Sequence, residues 1–439
     1  MESIVETLLN PSVIFGLFVG VFISLLFYYI LSTDTKAVEK ISKKKLPAKN
    51  VKQNQSQQKQ KSKDSHWIPL KKHSTHPSHV ASFKGHTGEV LHADFSTNGK
   101  YLATCSDDRT VFLWDTRDIK AKEHKSIRIN IDYDYPIFVK WSPDNKAFLI
   151  HRYQDNNIEV YKVEKKKDGS LGHAAIAHTF PKVHEEEVIG MSISSNGKYI
   201  MTCSRKNDLI LWDLKGQIIS KVDTCLMTTF CAKISPCGKF LLASGFTPDA
   251  IVWEVNFNKN GEFQDVKRAF ELTGHTSGIY DIACNADSSQ MVTVSKDGTW
   301  RLFDTKVEYR KGQSPRLLTS GKYRNPSEDA ALVALSPNGV IVIAVKNSLQ
   351  FFFSFDGTLD QTIEDIYEGK INHIMFDATG YYLLTTGHRH VMVFHNITGY
   401  KCDIQNAKLK LKEQQTSATK ERLQKIINES QAFLDGIHK

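Results

Sequence analysis

Histidines and cysteines are the first candidates for chemistry in this chain. His184 begins the stretch HEEEV, which starts like the H-E-x-x-H motif of zinc proteases, but Val188 stands where the second histidine ligand must be. The histidines of HRHVMVFH, from His388 to His395, fall at a predicted turn, where such side chains are usually solvated. Three cysteines between positions 225 and 237 are six residues apart, which is no standard zinc pattern. We therefore predict no metal site.

The common catalytic motifs are missing from the sequence. It has no G-x-S-x-G elbow, and no Gly-Lys pair follows the glycine that a Walker A loop requires five residues earlier. No nucleophile and base occur at a recognisable spacing. We predict a protein that is not an enzyme and that uses no cofactor.

An aromatic residue that follows a short apolar run is the feature that repeats. GKYLATCSDDRTVFLWD contains Trp114, and the similar stretch GKYIMTCSRKNDLILWD contains Trp212, 98 residues later. Seven such aromatics recur at intervals of 41 to 51 residues, the other five being Tyr161, Trp253, Phe303, Phe352 and Phe394. A period of about 40–50 residues with this content is typical of β-propellers.

Each repeat has the composition of a small antiparallel sheet. Runs such as YLATCS and TVFLWD are rich in β-branched and aromatic residues, and the polar turn DDR separates them. One such sheet cannot bury both of its faces, so the repeats must stack on one another. The sequence therefore predicts an all-β, seven-bladed β-propeller over residues 79–404, with the seven aromatics packed between adjacent blades.

The first repeat resembles the WD-repeat family. In that family, a histidine from a Gly-His pair joins a network with a turn aspartate and the blade tryptophan. His86, Asp108 and Trp114 match this pattern in the first repeat. The resemblance implies that these residues are structural rather than ligand-binding.

The fifth repeat matches the same pattern less completely. His275 and Asp297 are present, and Phe303 replaces the tryptophan. The other repeats depart from the family pattern at the position of the aspartate, which is occupied by Lys206, Thr247, Lys346 and His388. We therefore expect those blades to be weaker matches to the family.

A closed ring also needs a strand that joins its two ends, because an open edge strand invites wrong pairing. The stretch HVASF, from His79 to Phe83, is placed to form the outer strand of the last blade, as the N-terminal segment usually does in the WD-repeat family. The alternative is that GYKCDI, from Gly399 to Ile404, continues the last blade locally. The first arrangement is favoured, and the second stays open.

The N-terminal region predicts a membrane anchor. Residues 13–31 are 19 residues without a charge, enough to cross a bilayer as a helix. The start of the chain carries Glu2 and Glu6 and no basic residue, and no small-residue cleavage site follows, which favours an anchor over a signal peptide. Lysines close to a span favour the cytoplasmic side. We therefore predict that residues 1–12 are lumenal and that the propeller is cytosolic.

Residues 32–78 are predicted to form a basic, disordered linker. Between Lys36 and Lys72, twelve lysines stand against two acidic residues, whereas the whole chain has a net charge of +9. The segment lacks apolar periodicity, as disordered tethers do. The favoured interpretation is a solvated spacer whose charge sets the topology, and contact with anionic lipid or with RNA are the alternatives.

The C-terminal region, residues 405–439, changes composition to Lys, Glu, Gln and Ala. Four apolar residues fall on one helical face: Leu423, Ile426, Ile427 and Leu434. We predict a single amphipathic helix that packs on the side of the propeller, with partner binding as the alternative.

The whole arrangement resembles the transducin beta-like 2 family of membrane-anchored WD-repeat proteins. The local matches are NGKYLATCSDDRT, SPCGKF, GFTPD, GEFQDVKRAFEL, VSKDGTWRLFDT and VEYRK, which together cover the first five blades. The resemblance implies a single-pass protein of the endoplasmic reticulum (ER) membrane that acts as a scaffold for protein partners, among them the ER-stress kinase PERK, in the unfolded-protein response and translational control. It names no contact residues, so the partner-binding residues stay unknown.

A different class of function is an ER-anchored propeller that acts as an exchange factor for a small GTPase in secretory traffic. In that family the anchor follows the blades, whereas here the predicted anchor precedes them. A third interpretation is a sensor whose propeller lies in the ER lumen. It requires that the lysines after the predicted span do not lie on the cytoplasmic side. The order of the segments therefore favours the scaffold.

Overall fold

The computed structural model describes residues 76–167, 170–324, 330–413 and 416–437, and it contains seven four-stranded antiparallel sheets. The predicted lumenal segment 1–12, the predicted span 13–31 and the linker up to residue 75 lie outside the described residues. Within the described ranges, no helix is both long enough and apolar enough to cross a membrane.

The first four blades each consist of four consecutive strands. Blade 1 contains β2 (Val90–Phe95), β3 (Tyr101–Ser106), β4 (Thr110–Asp115) and β5 (Ser126–Asn130). Blade 2 contains β6 (Pro136–Trp141), β7 (Ala147–Arg152), β8 (Ile158–Lys165) and β9 (Leu171–Thr179). Blade 3 contains β10 (Val188–Ile193), β11 (Ile200–Ser204), β12 (Asp208–Trp212) and β13 (Ile218–Asp223). Blade 4 contains β14 (Thr229–Ile234), β15 (Phe240–Gly245), β16 (Ala250–Phe257) and β17 (Phe263–Leu272).

The last three blades complete the ring. Blade 5 contains β18 (Ile279–Cys284), β19 (Gln290–Ser295), β20 (Thr299–Asp304) and β21 (Arg316–Lys322), and a 3₁₀ turn (Tyr309–Lys311) precedes β21. Blade 6 contains β22 (Leu332–Leu335), β23 (Val340–Val345), β24 (Ser348–Phe353) and β25 (Leu359–Ile363). Blade 7 contains β26 (Ile371–Phe376), β27 (Tyr382–Gly387), β28 (His390–His395) and, from the start of the propeller, β1 (His79–Lys84).

The ring is closed by its N-terminal strand, which confirms the favoured prediction. Strand β1 pairs antiparallel with β28, so that Ala81 lies opposite Val393 and Phe83 lies opposite Val391. The pairing leaves β28 without a free edge. The competing hypothesis is wrong, because Gly399 to Ile404 are helical rather than extended.

Seven hydrophobic clusters hold the blades together. Each cluster combines buried residues of two adjacent blades, and each contains one of the seven repeating aromatics, which all lie in the third strand of a blade: Trp114, Tyr161, Trp212, Trp253, Phe303, Phe352 and Phe394. The buried cysteines Cys105 and Cys203 occupy equivalent places in the second strands of blades 1 and 3, as expected for small packing residues. The core therefore lies between the blades, and its seven parts stabilise one another.

The C-terminal region differs from the prediction of one helix after residue 404. Strand β28 ends at His395, and two helices follow, α1 (Ile397–Leu411) and α2 (Ser417–Ile437). The buried Asn396 begins α1, because its side-chain oxygen accepts a hydrogen bond from the N–H of Gly399 at 3.0 Å. The apolar residues after this cap repeat with helical rather than strand periodicity, which explains why the helix begins earlier than predicted.

The two helices cover one end of blades 6 and 7. In α1, Asp403 accepts hydrogen bonds from Tyr381 and Asn338, which lie in turns of these blades, at 3.0 and 2.7 Å. In α2, Phe433 stacks on Tyr400 of α1 with the ring centroids 4.0 Å apart. The described helices therefore pack on the propeller and on each other, and we call the end that they cover the lower face.

A buried histidine makes the fold sensitive to acid. His151 in β7 is 1% exposed, and burial lowers its pKa to about 3, with His184 adding to the effect. Because its pKa in the unfolded chain is about 6.5, the unfolded state binds more protons below that pH. The contribution of neutral His151 to the free energy of unfolding is complete above about pH 6.5 and is lost as the pH falls towards 3.

We expect the destabilising effect of His151→Gln to be about 2 kcal/mol smaller at pH 5 than at pH 7.5, because glutamine does not titrate. Urea unfolding of both proteins at both pH values measures this difference. Equal effects at the two pH values would show that His151 is not held neutral in the fold.

Candidate functional site: the upper face of the propeller

The face opposite the C-terminal helices, which we call the upper face, is formed by two kinds of loop. One kind joins the second and third strands of a blade, and the other joins one blade to the first strand of the next. Backbone hydrogen bonds link the two kinds across blades, such as Val90 N–H to His388 O at 2.7 Å. In the described chain, no helix lies on this face.

In blade 1, the sequence-predicted residues His86, Asp108 and Trp114 are brought together through Thr104. The Nε2 atom of His86 lies 2.8 Å from the hydroxyl of Thr104, and the indole N–H of Trp114 donates to the same hydroxyl at 2.9 Å. Nδ1 of His86 lies 3.3 Å from Asp108. Burial opposes ionisation of Asp108, but hydrogen bonds from His86, Thr110 and the N–H of Thr87 hold its pKa well below the usual range.

Blade 5 has the same arrangement without its indole. Nδ1 of His275 lies 3.0 Å from Asp297, and its Nε2 lies 2.8 Å from the hydroxyl of Thr293. Burial opposes ionisation of Asp297, but hydrogen bonds from Thr299 and from the N–H of Thr276 lower its pKa to about 2. Phe303 fills the tryptophan position by packing alone, 3% exposed, since its ring has no N–H to donate.

Blade 3 also has this network, contrary to the expectation drawn from Lys206. The imidazole of His184 bonds to the hydroxyl of Thr202 at 2.7 Å, and the indole of Trp212 donates to the same hydroxyl at 2.8 Å. The carboxylate partner of His184 is Asp208, two residues after the expected position. The stretch HEEEV therefore begins with a structural histidine. Its partner could have been recognised in the sequence only by allowing the aspartate to lie two residues further along the turn.

Asp208→Ala should lower the free energy of unfolding by about 1–2 kcal/mol, because buried His184 loses its acceptor. Lys206→Ala is the matched control and should change stability by less than about 0.5 kcal/mol. Urea unfolding of the two variants measures both effects. Equal costs, or a larger cost for Lys206→Ala, would contradict the assignment.

Blade 2 replaces the histidine network with a cluster around Arg152 that the sequence did not reveal. The guanidinium of Arg152 pairs with Glu159 and Asp155, each at 2.8 Å, and lies 3.4 Å from Asp134. Tyr161, the repeating aromatic of this blade, donates its hydroxyl to Glu159 at 2.9 Å. The cluster fixes the connection from blade 1 to blade 2, because Arg152 also donates to the carbonyl of Asp132 at 3.0 Å.

The loop fixed by Arg152 presents a tyrosine to solvent. Tyr133 is 91% exposed, and its φ of 61° lies in the left-handed region that non-glycine residues seldom adopt. Two residues after Tyr133, the ring of Tyr135 stacks on that of Tyr153, with the ring centroids 4.9 Å apart. Strained backbone that displays an apolar side chain points to a binding role.

A second strained loop lies between blades 3 and 4. Met227 has a φ of 65° and is 71% exposed. The side chain of Asn207 fixes this loop, donating to the carbonyl of Met227 at 3.2 Å and accepting from the hydroxyl of Thr229 at 3.0 Å. Cys225, in the same loop, also has a positive φ of 56°.

Phe246, in the turn of blade 4, lies next to this loop and is 58% exposed. Its N–H donates to the carbonyl of Thr228 at 2.9 Å. Gly245 is required for this close approach, since a Cβ there would lie 2.1 Å from the same carbonyl. The stretch GFTPD therefore presents Phe246 beside Met227, and Trp253 of the same blade stays buried beneath it.

A channel opens among these loops at the centre of the ring. Its cavity has a volume of about 1160 Å³ and is lined by first-strand residues of the blades together with Phe246 and Pro248. Over the described ranges, no group of three or more His, Cys, Asp or Glu side chains could hold a metal ion. The upper face is therefore a surface of fixed, exposed apolar side chains around a channel lined by both apolar and charged residues.

Comparisons with known proteins agree with this geometry. The WD domain, G-beta repeat family matches residues 77–115, 176–213 and 266–304. These segments correspond to blades 1, 3 and 5, which are the blades that contain the His–Asp networks.

Two curated proteins match most of the chain. It is 40% identical to transducin beta-like protein 2 of Mus musculus over 395 residues, which are 90% of this chain and 88% of the mouse protein. It is 40% identical to transducin beta-like protein 2 of Homo sapiens over 371 residues, which are 84% of this chain and 83% of the human protein. The target of rapamycin complex subunit LST8 of Saccharomyces cerevisiae is 26% identical over 32% of this chain and 42% of its own. The chain therefore belongs to the transducin beta-like protein 2 family of WD-repeat proteins.

Proposed function

We propose that this protein is a scaffold anchored in the ER membrane, with its propeller in the cytosol, and that it binds the ER-stress kinase PERK in the unfolded-protein response and translational control. The observation that carries this proposal is the 40% identity over 90% of the chain to transducin beta-like protein 2. The uncharged segment 13–31 and the lysines that follow it support the anchor and its orientation.

The upper face supports binding of a protein rather than catalysis on a small substrate. Three exposed apolar side chains, Tyr133, Met227 and Phe246, are presented by loops that hydrogen bonds hold in place. Interface anchors of this kind bind well because little conformational freedom is lost on association. We propose that these three residues form the partner-binding surface.

The loops of the upper face carry exposed charges of both signs, including the basic Arg205 and Lys206 in the turn of blade 3. Glu185 and Glu186 are exposed in the connection to blade 3, and Asp155 is half-exposed beside Tyr153. Complementary charge at the rim of an interface raises the association rate and selects among partners. Binding to the propeller should therefore weaken as the salt concentration rises.

A tether would make even weak contacts effective. Tethering raises the effective concentration of a protein towards partners in the same membrane, into the millimolar range for short flexible links. The anchor would therefore concentrate the propeller near kinases of the same membrane.

The proposal is tested in ER microsomes and in stressed cells. Protease should digest the propeller of microsome-inserted protein from outside, and the tagged full-length chain should co-purify PERK after ER stress. The glycosylation motif Asn396-Ile-Thr398 is a poor reporter of a lumenal location, since Asn396 is fully buried and donates to the carbonyl of Gly380 at 2.8 Å. A protected propeller would refute the topology, and absence of PERK from the purified complex would refute the partner.

A further inference from the structure

The central channel contains more positive than negative charge. Five basic side chains line its cavity, namely Lys140, Arg205, Lys233, Lys296 and Lys370. Two acidic side chains, Glu187 and Asp281, also line it. Its volume of about 1160 Å³ lies slightly above the range of about 300–1,000 Å³ that small-molecule sites occupy. Basic side chains therefore outnumber acidic ones in the lining, and an excess of one sign of charge in a cleft attracts ligands of the opposite sign.

The two inner lysines keep hydrogen-bonding capacity. Lys233 donates to Asp281 at 2.6 Å and to the carbonyl of Ile282 at 2.9 Å, which uses two of its three N–H groups. Asp281 compensates the charge of Lys233 and also accepts from the N–H groups of Ile282 and Val333 at 2.8 and 2.9 Å, so Lys233 offers a ligand its third N–H rather than an unpaired charge. Lys140 has Asp94 as its acceptor at 3.0 Å.

The two lysines at the mouth are less constrained. Lys296 lies in the turn of blade 5 and Lys370 lies before the first strand of blade 7, and both are exposed. Among the residues that the structure describes, neither is part of an ion pair. Arg205 differs, because it pairs with Glu187 at 2.9 Å. The uncompensated charge therefore lies on the path from the upper face into the channel.

Two histidines line the same cavity as these lysines. His92 and His373 stack in the channel wall, with ring centroids 4.1 Å apart. Burial holds the pKa of each well below the usual range, and Lys140 and Lys233 lower both further. An anion in the channel would offset the lysine field at these rings.

We propose that the central channel binds a small, multiply phosphorylated anion, which Lys140 and Lys233 contact inside the channel and Lys296 and Lys370 contact at its mouth. Lysine ammonium groups bind phosphate as point charges. Four of them, on blades 2, 4, 5 and 7, suit a compact ligand with several phosphates better than a single phosphate. Phe246, one of the three proposed anchors, lines the same cavity, but none of the four lysines is an anchor, and the proposal does not depend on the identity of the protein partner.

The test is a calorimetric titration of the full-length protein in detergent with inositol hexakisphosphate as the probe. Lys296→Gln/Lys370→Gln should weaken binding roughly tenfold or more, because two phosphate contacts are lost. The matched control is Lys100→Gln/Lys306→Gln, which removes the same charge from exposed positions on the lower face and should leave the affinity within about twofold. Lys140→Gln/Lys233→Gln should weaken binding further, and its thermal unfolding shows whether the variant is folded.

Further titrations distinguish the alternative ligands and binding sites. Inorganic phosphate should bind far more weakly than the probe, and vesicles containing a phosphoinositide distinguish a lipid headgroup from a free inositol phosphate as the source. If binding survives in Lys296→Gln/Lys370→Gln but is lost when Lys43 to Lys45 of the linker are changed to glutamine, the linker is the site and the proposal is wrong. Binding of a phosphopeptide but not of inositol hexakisphosphate would also overturn it.

Discussion

Replacing Trp212 by alanine should lower the free energy of unfolding by about 3–5 kcal/mol, one of the two largest single effects that we expect. Trp212 is 2% exposed between blades 2 and 3, where its ring lies 5.7 Å from that of Phe180. The alanine variant leaves a cavity in this cluster and removes the indole N–H from Thr202. Since domains are stable by only about 5–15 kcal/mol, a large part of the total is lost.

Trp212→Phe separates the two contributions. Phenylalanine keeps most of the packing and lacks the N–H, so the cost should fall to about 1–2 kcal/mol. Tyr133→Ala is the surface control, because Tyr133 is 91% exposed and should cost less than about 0.5 kcal/mol. Urea unfolding of the full-length protein measures all three. If Trp212→Ala costs no more than Tyr133→Ala, the interface between blades is not where stability resides.

Replacing Phe83 by alanine should have an effect of similar size and should also open the ring. Phe83 lies in β1, is 1% exposed, and contacts Trp114 and His124 of blade 1, with centroids 5.4 and 4.1 Å apart. It therefore joins the outer strand of blade 7 to blade 1. We expect a loss of about 3–5 kcal/mol, and transient release of β1 would expose the edge of β28 to other chains.

The measurement for Phe83→Ala combines urea unfolding with light scattering after size exclusion. The variant should unfold at lower urea and form soluble oligomers. Lys84→Ala, an exposed change at the end of the same strand, should remain monomeric and change stability by less than about 0.5 kcal/mol. A stable, monomeric Phe83→Ala protein would mean that β1 does not hold the ring closed.

The architecture could be predicted because it rests on spacing. Each blade must bury one large aromatic against its neighbour, so residues such as Trp114 and Trp212 recur at the length of a blade. The closing strand was also predictable, because HVASF has the composition of a strand and the ring offers only one open edge. Both features depend on burial, which leaves a pattern in the sequence.

Features that depend on contacts distant in sequence could not be predicted in this way. Asp208 reaches His184 only because the turn before β12 places it there, and a fixed spacing rule selected Lys206 instead. Arg152 has no counterpart in the family pattern. The left-handed backbone of Tyr133 and Met227 is imposed by hydrogen bonds to their loops, since both residue types ordinarily avoid it.

The exposed anchors on the upper face are the part of the account that bears most directly on function. The decisive measurement is quantitative co-purification of PERK from stressed cells with full-length Tyr133→Ser/Met227→Ser/Phe246→Ser. The control is Ile176→Ser/Leu214→Ser/Phe355→Ser, three similarly exposed apolar residues away from the upper face. We predict roughly tenfold or greater loss of bound kinase for the first variant and none for the control. Equal recovery of the kinase with both variants would contradict the claim that the upper face is the partner-binding surface.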